Sequence, residues 1–142
     1  VKVVIDANVL VSAAIGTGPS QRVVAVAMSS PRLTAVVCPT LLAEVDNVLS
    51  RPRLQERLPE EARSVYLRDL ASFLDVVPDP AVVPATTRDP EDDYLVALAR
   101  ENGVDWIVSG DKDLLEWEEQ RPPVLPPAAF EALLRSEGLL GS

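Results

Sequence analysis

The sequence predicts a doubly wound α/β domain, a parallel sheet with helices packed on both faces. Short apolar runs at about 2–5, 34–38, 75–77, 106–108 and 124–125 alternate with longer segments of helical periodicity. The first run, KVVI, is apolar without alternation, as expected of a central strand buried on both sides. Acids follow two of these runs, Asp6 and Asp111, where α/β sheets place their sites. A chain of 142 residues, 47% of them hydrophobic, is long enough for one compact domain with a substantial core, and one domain over residues 1–142 is expected.

In chain order, Asp6-Ala7-Asn8 reads as the beginning of a turn after the first strand. Residues 16–18 read as a loop, and about 19–29 carry a helical apolar pattern. After the second strand, Pro39 and Thr40 start a helix that runs to about 49, with Leu41, Leu42, Val45, Val48 and Leu49 on one side. Glu44 and Asp46 fall at opposite borders of that side, each roughly 100° from its centre, so spacing does not choose between them. Arg51, Arg53 and Arg57 form a basic cluster around Pro52. Its simpler reading is neutralisation of Glu56, Glu60 and Glu61; the alternative is contact with an RNA backbone through Arg51 and Arg53. A helix over about 59–73, a third strand and a proline-rich loop at 78–84 lead to residues 89–115, which gather four aspartates at the two ends of one helix and strand.

In that segment Asp89 reads as an N-cap with Pro90 at the first helical position, and Gly103 as the stop, giving a helix over about 90–102. Asp89, Glu91, Asp92 and Asp93 all suit a first helical turn through its dipole alone. Asp92, however, lies within about 50° of the centre of the face made by Leu95, Val96, Leu98 and Ala99, whereas Asp93 points round toward Arg100 and outward. A carboxylate aimed at an apolar interface needs a partner, and a metal ion is the sharper explanation. A short strand at 124–125 and a helix over about 127–135 complete the reading, with the tail from about 138 loosely held.

Composition removes several functions. The chain has no histidine, which excludes serine–histidine and cysteine–histidine catalysis and most zinc sites. A net charge of −9 argues against a broad basic nucleic-acid surface, but not against acids gathered round a cation that reverses the local field. The lone Cys38 sits in a strand-like TAVVC, reads as a buried core residue and has no partner for an internal disulfide, which fits a reducing cytoplasm. No apolar span is long enough for a membrane helix, and the first residues lack the layout of a signal peptide.

If the strands before Asp6 and Asp111 are neighbours at the switch point, their carboxylates converge and Asp92 arrives from the helix entering the same end. Carboxylates packed together repel unless a divalent cation offsets them, and an oxygen-only donor set suits Mg²⁺ or Mn²⁺. Metal-assisted phosphodiester hydrolysis is then the leading reaction class, because it requires no side-chain nucleophile. An aspartyl phosphotransferase using Asp6 as nucleophile competes, but Asn8 stands where a second acid is expected and there is no glycine-rich phosphate loop.

The segments VIDANVLVSA, PTLLAEVDNVL, DPEDDYLVALARENG and WIVSGDKDLL, in this order, resemble a PIN-domain ribonuclease over nearly the whole chain, from Val3 to about Phe130. Each motif alone is weak, and the four in order are specific. The layout is most similar to the toxin components of VapBC-type (type II) toxin–antitoxin pairs. The resemblance implies a three-layer α/β/α fold with a central parallel sheet of about five strands, and an acidic set of Asp6, Glu44, Asp92 and Asp111, which chooses Glu44 over Asp46. It implies Mg²⁺ or Mn²⁺ held by Asp6, Asp92 and Asp111, with Asp93 as a water-mediated ligand and Asp113 as an extra acid, and with Asn8 and Ser109 orienting the site. Ser109 stands where many members carry threonine, which keeps the hydroxyl. Endonucleolytic cleavage of RNA, homodimerisation and an antitoxin that lays a basic residue or a helix over the acidic groove are also implied. Two alternatives stand beside it: a PIN-like scaffold that binds RNA or protein without cutting, and an RNA-processing nuclease outside any toxin–antitoxin pair.

Overall fold

The five apolar runs become five parallel strands in the computed structural model, which describes residues 1–140. The strands are β1 (Lys2–Ile5), β2 (Thr34–Val37), β3 (Asp75–Val76), β4 (Trp106–Val108) and β5 (Val124–Leu125), in spatial order β3-β2-β1-β4-β5. The helices are α1 (Ala7–Ile15), α2 (Pro19–Ser29), α3 (Pro39–Leu49), α4 (Pro52–Gln55), α5 (Glu60–Phe73), α6 (Pro90–Glu101), α7 (Lys112–Leu115) and α8 (Pro127–Ser136). Together they make the expected three-layer α/β/α arrangement. β1 pairs with β2 on one side and β4 on the other, in register Val4↔Val36 and Val4↔Ile107. The chain order therefore reverses between β1 and β4, and a crevice opens beyond their carboxyl ends.

The centre of the sheet is apolar because both faces are covered. Val3, Val4, Ile5, Val36, Val37, Ile107 and Val108 are all fully buried. Each such side chain contributes roughly 1.5–3 kcal/mol relative to exposure. α6 packs on β1 and β4, while α1 packs against α2 and α3, and α2 against α5 and α8. Cys38 is buried and free just before α3. No single helix among the described residues is long and apolar enough to cross a membrane.

Several elements differ from the expectation. The turn expected at Asp6-Ala7-Asn8 is the start of α1, a nine-residue helix with Asp6 at its N-cap. Its sequence, ANVLVSAAI, is apolar on nearly every side, so it carries no amphipathic stripe to read. The one-turn helices α4 and α7 are too short to leave a periodic signal. Asp93, expected to face outward, is 6% exposed. The stretch before α6 lies across what would be the solvent side of this helix, with the Thr86 and Thr87 backbone amides donating to Asp93 Oδ1 at 3.2 and 2.7 Å. Gly138, at φ +75°, ends α8 in a left-handed stop in which Gly138 N–H donates to Arg135 O and Leu139 N–H to Leu134 O. The remainder of the expected loose tail lies outside the described residues.

Candidate metal centre

The site is assembled by helix starts. Asp6, Asp89 and Asp111 are the N-caps of α1, α6 and α7, and Asp92 lies in the first turn of α6. β1 and β4 deliver Asp6 and Asp111 to the same end of the sheet, with Asp6 N–H donating to Val108 O at 2.9 Å. Between them stands Ser109, fully buried. Its Oγ donates to Asp6 Oδ2 at 2.7 Å and accepts from the Asp111 backbone N–H at 3.0 Å. One hydroxyl thus fixes both acids. Asp111 Oδ1 in turn accepts from Asp113 N–H at 2.9 Å, and Asp89 Oδ1 from Glu91 N–H at 3.0 Å.

These elements enclose a cavity of about 50 Å³ lined by Asp6, Glu44, Asp89, Asp92, Tyr94 and Asp111, with Asn8 and Glu91 at its edge. No cationic side chain lines it. One carboxylate oxygen from each of Asp89, Asp92 and Asp111 can be chosen so that all three lie within 4.8 Å of one another. Asp92 is 6% exposed, and its Oδ2 is buried without a hydrogen-bond partner. Burial first, then the adjoining Asp111 carboxyl and the charges of Asp6 and Asp89, push Asp92 up to about 8. Burial likewise raises Asp6, offset in part by the Ser109 hydroxyl, with Glu44 and Asp111 adding to the rise.

Glu44 enters from α3 and accepts from Tyr94 Oη at 2.7 Å. Burial and Glu44 together push the Tyr94 phenol well above its ordinary value, so it stays a protonated donor. Asp46 points away and pairs with Arg63 at 3.2 Å. Spacing left these two acids level, and the geometry puts Glu44 in the cavity.

Other residues expected at the site lie elsewhere. Asp93 is occupied by the Thr86 and Thr87 amides and the Thr87 hydroxyl, which anchors the preceding loop and lowers its pKa despite burial. It does not line the acid cavity. Asp113 turns to Arg88 at 3.2 Å and lines a neighbouring cavity instead. Arg51 and Arg53 are exposed on and beside α4, away from the acid cavity. They form no ion pair with Glu56, Glu60 or Glu61 among the described residues, so the expected neutralisation does not occur.

Two contributors were not foreseen. Asp89 was read only as a cap. The available signal was its spacing of three from Asp92, which puts neighbouring side chains on one helical face. Tyr94 gave no signal, since its partner Glu44 lies 50 residues away in sequence.

An oxygen-only donor set, an unpartnered buried carboxylate oxygen and the absence of any lining cation fit a hard divalent ion. Asp89, Asp92 and Asp111 are the residues placed to hold it, with Asp6 and Glu44 on the same cavity wall.

Comparison with known proteins agrees with the fold. The PIN domain family matches residues 2–113. An uncharacterized protein of Methanocaldococcus jannaschii, MJ1680, is 27% identical over 120 residues, covering 84% of this chain and 77% of that protein. The crystal structure of PAE2754 from Pyrobaculum aerophilum superposes with a TM-score of 0.66 at 18% identity, covering 96% of this chain and 90% of that one, and shows the shared fold.

Proposed function

We propose that this chain, which belongs to the PIN-domain family, is a Mg²⁺- or Mn²⁺-dependent endoribonuclease that hydrolyses RNA phosphodiester bonds and serves as the toxin of a toxin–antitoxin pair. PIN domains are in general metal-dependent nucleases. The observation that carries the reading is the buried, unpartnered Asp92 Oδ2 inside a cluster of carboxylates without a cation. Ionising such a group is unfavourable unless a cation is its partner.

A bound divalent ion supplies a lowered pKa to water and charge stabilisation at a phosphoryl oxygen. The residues do the rest. Asp89, Asp92 and Asp111 would hold the ion, Ser109 locks Asp6 and Asp111 relative to each other, and Tyr94 keeps Glu44 turned into the cavity. Glu44 and Asp6 line the same cavity, and in this reading they would accept the proton of the attacking water. RNA as substrate, a homodimeric state and a small antitoxin with a basic segment over the acids form part of the proposal; the net charge of −9 is compatible with such a partner.

The test is cleavage of single-stranded RNA by purified protein with Mg²⁺ or Mn²⁺. Asp92→Asn and Asp6→Asn should each abolish cleavage while circular dichroism shows an intact fold. Metal-stimulated cleavage that survives both substitutions rejects the assignment. RNA held tightly with no metal-dependent turnover identifies a binding scaffold instead.

A further inference from the structure

A second cavity, of about 520 Å³, adjoins the acid cluster and is large enough for a nucleotide. It is lined by Arg88, Trp117, Asp113, Glu116 and Glu118, with Thr86 and Thr87 at its floor. The two cavities are neighbours by construction. Arg88 precedes Asp89 by one Cα step of about 3.8 Å, and Asp113 donates its backbone N–H to Asp111.

We infer that this cavity is a nucleotide-binding subsite, with Arg88 taking a backbone phosphate and Trp117 stacking a base of the strand whose neighbouring phosphate enters the acid cluster. The inference rests on the phosphodiester-cleaving reading for its ligand. Three features carry it. The acid cavity has no cation of its own, and the second cavity supplies one in Arg88, the residue before Asp89 in the chain. Its side chain is 68% exposed and is shared between Asp113 at 3.2 Å and Glu116 at 3.4 Å. Exposed pairs of this kind contribute little, so the guanidinium can turn to a phosphate, which it binds bidentately.

Trp117 is the second feature. Arg100 steadies its ring from 5.4 Å, leaving a flat surface in a partly buried position. Base stacking on such a ring tolerates any sequence. The third feature is the set of carboxylates that Arg88 releases. With Glu118 they offer acceptors to the exocyclic amino group on a base edge, which cytosine, adenine and guanine carry and uracil lacks.

The experiment uses Trp106→Phe protein, in which Trp117 is the remaining indole of the two in the chain. Its fluorescence is titrated in EDTA with a single-stranded RNA tetramer and, separately, with tetra-arginine. Saturable quenching by RNA, weakened about five- to hundredfold by Arg88→Ala and largely restored by Arg88→Lys, is expected. In the Mn²⁺ cleavage assay, Arg88→Ala and Trp117→Ala should raise KM by a similar factor with Mn²⁺ affinity unchanged, and Trp117→Phe should retain most of the wild-type KM. No quenching in folded protein, quenching indifferent to Arg88→Ala, or quenching by tetra-arginine but not RNA each overturns the subsite. Because binding is read without metal, RNA quenching in a protein that never cleaves would sink the nuclease reading while the subsite stands.

Discussion

Metal uptake should expel a proton, and the amount is set by Asp92. Its carboxyl, raised to about 8, is about nine-tenths protonated at pH 7. A cation ligand must be a carboxylate, so binding at pH 7 should release about 0.9 proton per ion, falling to about 0.1 at pH 9. Apparent affinity should then rise about ninefold from pH 6 to 7 and level off above 8. Titration calorimetry with Mn²⁺ in two buffers of different ionisation enthalpy measures the release directly. Asp92→Asn should bind more weakly and lose most of the pH dependence. Release below about 0.2 proton at pH 7, or an affinity unchanged between pH 6 and 8, would refute the premise that Asp92 is protonated in the empty site. The same carboxyl governs the metal-free fold. A raised acid contributes stability that is complete below its ordinary value of 3.8 and is lost as pH climbs through about 8. EDTA-treated protein should therefore gain more in melting temperature from Mn²⁺ at pH 9 than at pH 6.

Other expectations follow from single contacts. Ser109→Ala removes the hydroxyl shared by Asp6 and Asp111 and should cost about 1–3 kcal/mol in urea unfolding together with a fall in cleavage rate, whereas Ser109→Thr should retain both. Full stability in Ser109→Ala would remove the bridge from the account. Leu98→Ala, at a fully buried position on α6, should cost about 2–5 kcal/mol by the same measurement, and a loss below 1 kcal/mol would mean that the layer packs differently. Gly103 ends α6 at φ +60°, so Gly103→Ala should destabilise by roughly 1–2 kcal/mol and Gly103→Asn by less. Equal melting temperatures for all three proteins would contradict that geometry.

The central strands were legible because each is an apolar run buried on both faces, while the edge strand β3, Asp75–Val76, is exposed. The convergence of Asp6 and Asp111 was legible for the same reason, since both end central strands and the order reverses between them. What escaped was whatever depends on a neighbour distant in sequence. Asp93 obeys helical geometry, but the stretch before α6 covers the side that should have faced water. Asp89 was hidden by its own cap, because a residue with a sufficient local role invites no second one. The arginines on and beside α4 stand near acids in sequence without pairing with them among the described residues, since all these side chains are exposed and water screens such pairs. α1 was missed because its sequence is apolar at every position but Asn8 and Ser12, which leaves only a faint stripe to announce a helix.

That three of the acids begin helices bears on how the cluster survives empty. The Asp89 and Asp111 side chains accept backbone amides at the positive ends of α6 and α7, whereas Asp6, at the start of α1, makes no such bond and is held by the Ser109 hydroxyl. Asparagine caps a helix about as well as aspartate. Exchanging carboxylate for amide at Asp89 or Asp111 should thus remove charge while leaving the scaffold's turns in place, which opens the centre to dissection one anion at a time.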